Sequence, residues 1–185
     1  MRIALAPFPE FKPPAGIGLR ILGRDDIPLL VDHLTGLDAA GRYDRFNGVV
    51  DTDWIESYAR RSIRPGVLVI AAHRNEQVVG VAELHPVRVD AAEVAFSVNA
   101  EWRGRGVGSA LFALVLEAVW SRGLDEFEIT THSQNDAMKR LARKFGVDIR
   151  FRDGDSKGRV RLDDIRMLDA TPAKANSVAS SRGLV

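Results

Sequence analysis

A short segment with three glycines, residues 102–109, carries the strongest chemical signal in the sequence. Glycine lets the backbone turn sharply and approach a ligand closely. A helix is predicted directly after the segment, and the first turn of a helix offers unpaired N–H groups and a positive dipole end. These features, with two arginines among them, indicate a binding site for a pyrophosphate. The residues assigned to it are Arg103, Gly104, Arg105, Gly106, Val107, Gly108 and Ser109.

Two familiar phosphate-binding motifs do not fit this segment. A Walker loop requires a lysine before its Ser or Thr, but Ser109 follows Gly108 directly. A dinucleotide-binding motif requires a third glycine where this chain has Ser109. Such a motif also follows the first strand of its domain, whereas several predicted strands precede this segment. The sequence therefore argues against a nucleotide hydrolase and against a dinucleotide-binding enzyme.

The hydrophobic pattern predicts the elements that position the segment. A strand at 18–23 precedes helical segments that begin near residues 25, 38 and 52, and a hairpin of strands 67–72 and 77–85 follows. Strand 92–99 leads into the glycines, and a helix at 110–120 comes after them. The pattern then predicts a strand at 126–131, a helix from Asn135, and strands at 147–152 and 159–165. This is an α/β arrangement with a mixed, mostly antiparallel sheet of about six to seven strands.

Composition narrows the class of protein. The 26 basic and 25 acidic residues nearly balance, whereas a nucleic-acid-binding protein usually has a strong basic excess. No apolar run approaches the roughly 20 residues that span a membrane. The chain has no cysteine, and its four histidines lack metal-ligand spacing. We therefore predict no nucleic-acid partner, no membrane contact, no metal and a cytoplasmic location.

The two ends differ from the middle of the chain. Residues 1–17 form a proline-rich extension, and residues 170–185 are rich in Ala and Ser, as in a disordered tail. A single domain is expected at 18–169, between the two ends. A homodimer is one of the assemblies that the sequence allows.

Two patterns together resemble the GNAT acyltransferase family. The R-x-x-G-x-G pattern at 103–108 is similar to the coenzyme A loop of that family, and the helix led by Asn135 is similar to a later family helix. The order of elements agrees over roughly residues 18–167. Residues 42–46 and 92–98 also resemble the catalytic domain of bacterial Pat-type protein lysine acetyltransferases. The resemblance implies a splayed GNAT sheet and acetyl-CoA as cosubstrate.

The same resemblance assigns roles in binding acetyl-CoA. The backbone N–H groups of 105–109 would hold the pyrophosphate, with Arg103 and Arg105 beside the phosphates. Phe96 and Val98 would contact the pantetheine arm, where backbone groups polarise the thioester carbonyl. Asn135 would contact the coenzyme, cap its own helix, or do both.

A general base is needed because a free lysine has a pKa of about 10.4 and must lose a proton before it attacks. Glu93 is the predicted base, directly or through a water molecule. Alternation along the strand places it on a small, polar face with Ala95 and Ser97. A carboxylate there is similar to the acidic residue of the Pat-type enzymes, although an ordinary surface glutamate is the alternative. Glu83 and His85 are reserve candidates.

The residue that would protonate the leaving thiolate is missing. The family often uses a tyrosine seven positions after the Asn, where this chain has Ala142. Direct loss of the thiolate is one option, since a thiol of pKa about 8.5 leaves readily; water, Ser133, Tyr43 or Tyr58 are others. We predict an N-acetyltransferase that works by direct attack in a ternary complex. A protein lysine is the first-choice acceptor, and a small-molecule amine is the alternative. A non-catalytic acyl-CoA sensor is the rival class.

Overall fold

One six-stranded sheet organises the computed structural model, which describes residues 12–147, 149, 157–162 and 165. The strands lie in chain order, and all neighbours are antiparallel except β4 and β5, which are parallel. This arrangement confirms the predicted fold class. The strands are β1 (Gly18–Ile21), β2 (Leu68–Arg74), β3 (Gln77–Pro86), β4 (Ala91–Val98), β5 (Glu126–Thr130) and β6 (Lys157–Arg161).

Five α-helices of the described residues cover the two faces of the sheet. Alternation along β2 shows why both faces need cover: Val69 and Ala71 pack in one apolar core, and Ile70 and Ala72 pack in the other. The first core includes α1 and α3, and the second includes α4 and α5. The helices are α1 (Ile27–Thr35), α2 (Ala39–Phe46), α3 (Thr52–Ser62), α4 (Val107–Ser121) and α5 (Asp136–Arg143).

The sheet opens between its two parallel strands. β4 pairs with β5 only from Ala91 to Val94. On its other edge β4 stays paired with β3 as far as Val98, which lies opposite Gly80. The last four residues of β4 therefore face a gap on the β5 side, and this gap is the predicted splay.

Three boundaries differ from the sequence-based prediction. The helix expected at 110–120 begins at Val107, because the last residues of the glycine segment form its first turn. The strand expected at 126–131 ends at Thr130, whereas α3 begins at Thr52, as expected, with Asp51 as its cap. The last strand ends at Arg161 and does not reach residue 165.

Other predictions for the chain ends fall on residues that the structure does not describe. The strand expected at 147–152 and the tail at 170–185 lie largely or wholly outside the described residues. The end of the proline-rich extension is described: Ile17 is buried in the core with α4, and Pro14 lies against Gly106. No helix in the described ranges combines the length and apolar character that crossing a membrane requires.

Candidate active site

The glycine segment forms a backbone cradle at the start of α4. Gly104 and Gly106 have φ angles of 71° and 92°, a left-handed region that side chains disfavour. Gly106 is the N-cap of α4, and no described side chain caps this helix. The first backbone bond of the helix runs from Ala110 N–H to Gly106 C=O, so the N–H groups of residues 107–109 have no intrahelical acceptor. Such a cradle fits an anion.

The end of β4 supplies backbone groups to the gap beside this cradle. Asn99 N–H donates to Val79 C=O on β3 at 3.0 Å. Backbone groups of successive strand residues point to opposite edges, so those of Phe96 and Val98 face the gap. The Phe96 ring is stacked on Phe112 of α4 with centroids 5.4 Å apart. Phe96 and Val98 thus present backbone groups to the gap, while the Phe96 ring belongs to the core; their contact with a pantetheine arm stays a prediction.

Arg103 connects the cradle to α2. Its guanidinium makes a two-pronged ion pair with Asp38, and its Nε donates to Val98 C=O at 3.1 Å. Asp38 also caps α2 by accepting from Gly41 N–H. The Arg103 guanidinium holds the pKa of Asp38 below its usual range. Arg103 therefore already has a protein partner, which the sequence did not indicate.

Two other cations lie near the cradle. Arg105 is exposed, and its guanidinium sits 5.4 Å from the centre of the Trp102 ring. Lys144 lies with its Nζ 3.4 Å from Oγ of the buried Ser109, in the first turn of α4. Lys144 was not among the predicted site residues. Its position directly after the helix led by Asn135 was the sequence feature that could have indicated it.

Asn135 acts as the cap of α5. Its Oδ1 accepts from Met138 N–H at 2.9 Å, and its Nδ2 donates to the Thr131 hydroxyl at 2.9 Å. Of the two predicted roles, the capping role is the one present in the structure. The two hydrogen bonds of Asn135 connect the end of β5 to the start of α5, on the far side of the gap from β4.

Glu93 lies on β4 at the point where the gap begins. Its carboxylate is half-buried and accepts a hydrogen bond from the Thr130 hydroxyl at 2.8 Å. The sheet register places it opposite His85 of β3 and beside Glu128 of β5. Glu93 is therefore a held carboxylate with hydrogen-bonding neighbours and not an isolated surface side chain.

Glu83, a reserve candidate for the base, is completely buried among donors. Arg45 Nη2 lies 2.5 Å from Oε1, while the Tyr58 hydroxyl donates to Oε2 at 2.8 Å and His85 Nε2 lies 3.1 Å from Oε2. Burial alone would raise the pKa of Glu83, but Arg45 and His85 outweigh it and hold the pKa well below the usual range. Glu83 is thus a saturated anion and is poorly suited to accept a proton. Sequence reasoning missed its partner Arg45, 38 residues away.

The candidates for a general acid are dispersed. Ala142 is fully buried in the core. Burial raises the pKa of Tyr58 to about 12, and its hydroxyl is engaged with Glu83. Ser133 is exposed, and Tyr43 lies beside His132 with ring centroids 5.6 Å apart. The geometry selects none of them.

Comparison with known proteins identifies the class. The profile described as the Acetyltransferase (GNAT) family matches residues 38–147, which hold α2 to α5 and the cradle. The chain belongs to the GNAT acetyltransferase family. The L-amino acid N-acetyltransferase AaaT of Escherichia coli is 30% identical over 96 residues. That match covers 49% of this chain and 59% of the relative, so the chain spans about three fifths of the relative's length.

Solved structures share the fold. The GNAT domain of S. lividans PAT is similar with a TM-score of 0.66 and 22% identity, over 78% of this chain and 89% of that domain. This supports the predicted likeness to Pat-type domains. The yncA protein of Salmonella typhimurium, solved with acetyl-CoA, has a TM-score of 0.61 and 19% identity, over 80% and 95% of the two chains. The paia N-acetyltransferase of Thermoplasma acidophilum, solved with coenzyme A, has a TM-score of 0.59 and 19% identity, over 78% and 98%.

Proposed function

We propose that this protein transfers an acetyl group from acetyl-CoA to the ε-amine of a protein lysine by direct attack. The observation that carries the proposal is the gap between β4 and β5, which opens after Val94, next to Glu93, and leads to the uncapped start of α4. One end of this gap fits a pyrophosphate, and the other end offers a carboxylate. Structural neighbours with the same fold were solved with coenzyme A and acetyl-CoA.

The residues of the cradle would hold the donor. The N–H groups of residues 105–109 suit the pyrophosphate, and Arg105 and Lys144 supply positive charge. The backbone groups of Phe96 and Val98 suit the pantetheine arm, and Asn135 lies across the gap. Bound acetyl-CoA supplies an activated acetyl thioester.

Glu93 would act as the general base. An acceptor ammonium must lose a proton before its nitrogen can attack. The Thr130 hydroxyl holds one oxygen of the Glu93 carboxylate, so the group is oriented before the acceptor arrives. Orientation of this kind lowers the cost of assembling the reacting groups.

Charge on the acceptor face favours a side-chain amine over a free amino acid. Glu93 places a carboxylate there, next to the Arg159-paired Glu128 of the neighbouring strand. A free amino acid would bring its own carboxylate, which requires a cationic partner. Among the described residues, three arginines near this face are already paired: Arg45 with Glu83, Arg103 with Asp38 and Arg159 with Glu128.

A free amino acid is the second candidate acceptor, because the AaaT relative is an L-amino acid N-acetyltransferase. A non-catalytic acyl-CoA sensor is the rival class, since Ala142 stands where the family often has a tyrosine. Both are decided by activity measurements on the purified chain.

Replacing Glu93 by Gln tests the proposal. We expect acetyl-CoA affinity within about twofold of wild type and a fall in kcat of about 100-fold, the usual contribution of a general base. Isothermal titration gives the affinity, and release of free thiol gives the rate.

The exposed Glu117 on α4 provides the matched control. Glu117→Gln should leave both quantities unchanged. Wild-type turnover in Glu93→Gln would remove Glu93 from the chemistry, and a wild-type protein that binds acetyl-CoA but acetylates no amine would establish the sensor.

A further inference from the structure

The buried cluster around Glu83 joins three elements on the acceptor side of the sheet. Arg45 comes from α2, Tyr58 from α3, and Glu83 and His85 from β3. Glu83 is fully buried, whereas the His85 side chain is 21% exposed. The cluster therefore reaches solvent through His85, and the partly buried Tyr58 is its other member near the surface.

The cluster fixes the tautomer of the neutral His85 ring. Glu83 is ionised next to Arg45, so both of its oxygens can only accept hydrogen bonds. His85 Nε2, at 3.1 Å from Glu83 Oε2, must then carry the hydrogen. In the neutral ring this leaves Nδ1 as the nitrogen with the lone pair, which can accept a proton.

The sheet register brings this ring close to Glu93. His85 and Glu93 are directly opposite on antiparallel strands, so their Cβ atoms are about 5 Å apart and their side chains share a face. The charged and titratable groups that face His85 are Glu83 on its own strand, Glu93 on β4, Tyr58 on α3 and Arg45 on α2.

We infer that His85, held by Glu83, takes the acceptor's proton from Glu93 and releases it to water. The inference rests on the proposed function and names the route by which the proton leaves the site. An N–H bond of the acceptor ammonium breaks and an O–H bond forms on Glu93. That bond breaks in turn as an N–H bond forms at His85 Nδ1. The imidazolium, next to the Glu83 carboxylate, then gives the proton to water.

Glu83 is a positioning residue in this scheme, because it acts through His85. Arg45 and Tyr58 keep Glu83 ionised and in place, and none of the three needs to touch the acceptor. If the cluster only stabilised the fold, the His85 ring would not carry protons during turnover. The two roles therefore differ in how activity responds to an added base.

Chemical rescue of His85→Ala tests the inference. We expect kcat to fall at least tenfold while the acetyl-CoA KM stays within about twofold, as for loss of a proton-transfer group. Millimolar imidazole should restore much of the lost rate, because it can occupy the partly exposed space left by the side chain. His73→Ala is the matched control: His73 lies on β2, where Nδ1 contacts Asn75 C=O, and this variant should keep its rate with or without imidazole.

A second variant covers the case in which His85→Ala does not fold. His85→Gln keeps a donor for Glu83 but has no basic nitrogen, so it should be as slow as His85→Ala and insensitive to imidazole. Wild-type kcat in either variant, or a folded His85→Ala that imidazole does not rescue, would overturn the inference. Absence of any acetyl transfer by wild type would instead overturn the proposed function.

Discussion

At the scale of single residues, Glu83 and Glu93 show how surroundings decide the role of a carboxylate. Glu83 is buried and takes hydrogen bonds from Arg45, Tyr58 and His85. Glu93 is half-buried at the edge of the gap and is held by Thr130. The first is saturated with donors inside the fold, and the second is the carboxylate that we propose as the base.

The sequence predicted the face of the strand on which Glu93 lies, but it could not predict the partners of Glu83. Strand alternation alone places Glu93 on a small, polar face, because that periodicity is local. The partners of Glu83 lie on α2 and α3, and their approach depends on how those helices pack over the sheet. For the same reason the ion pair of Arg103 with Asp38, 65 residues apart, had no signal in the sequence.

His33 should make stability fall in mild acid. Its Nε2 bonds to the Ser97 hydroxyl at 2.8 Å, and burial lowers its pKa to about 4, against about 6.5 in an unfolded chain. The unfolded state thus binds more protons between these two values. Stability is complete above about pH 6.5 and is lost as the pH falls through this window, by on the order of 3 kcal/mol.

Urea unfolding at pH 7.5 and pH 5 measures this effect, with His33→Gln as the comparison. The variant keeps a polar group near Ser97 but has no proton to take up, so its stability should change less between the two pH values. An equal change in both proteins would show that His33 is not responsible.

At the scale of elements, the cradle forms because a glycine segment runs directly into α4. Left-handed Gly104 and Gly106 turn the chain into α4, whose first N–H groups have no acceptor within the helix. The sequence predicted this element well, since glycine spacing and the apolar run after it are local features. It placed the helix start three residues late, because Val107, Gly108 and Ser109 read equally well as loop.

Gly106→Asp should weaken acetyl-CoA binding at least tenfold, because a carboxylate would lie where the N–H groups would donate to a phosphate. The change also strains the backbone, whose φ is 92°. Gly123→Asp at the other end of α4 is the matched control, since its φ is 69° and a Cβ there meets nothing within 4 Å. Titration calorimetry should show weakened binding only for Gly106→Asp. Equal losses in both variants would attribute the effect to strain and not to the cradle.

At the scale of the whole molecule, the site lies where the sheet divides between two apolar cores. α4 and α5 pack on one face of the sheet in the second core, while α1 and α3 pack on the opposite face in the first core. The donor cradle and the proposed base therefore sit where the sheet separates these two layers. The sequence predicted the order of elements along the chain, but the point where β4 and β5 separate follows only from the observed register.

Transfer of labelled acetyl groups from acetyl-CoA to two kinds of acceptor tests the central claim most directly. One acceptor is a peptide with a single lysine and a blocked N-terminus, and the other is a panel of free L-amino acids. We predict that the lysine peptide gains one acetyl group, seen by mass spectrometry, with a higher kcat/KM than any free amino acid. Acetylation of free amino acids alone, or coenzyme binding without transfer to either acceptor, would contradict it.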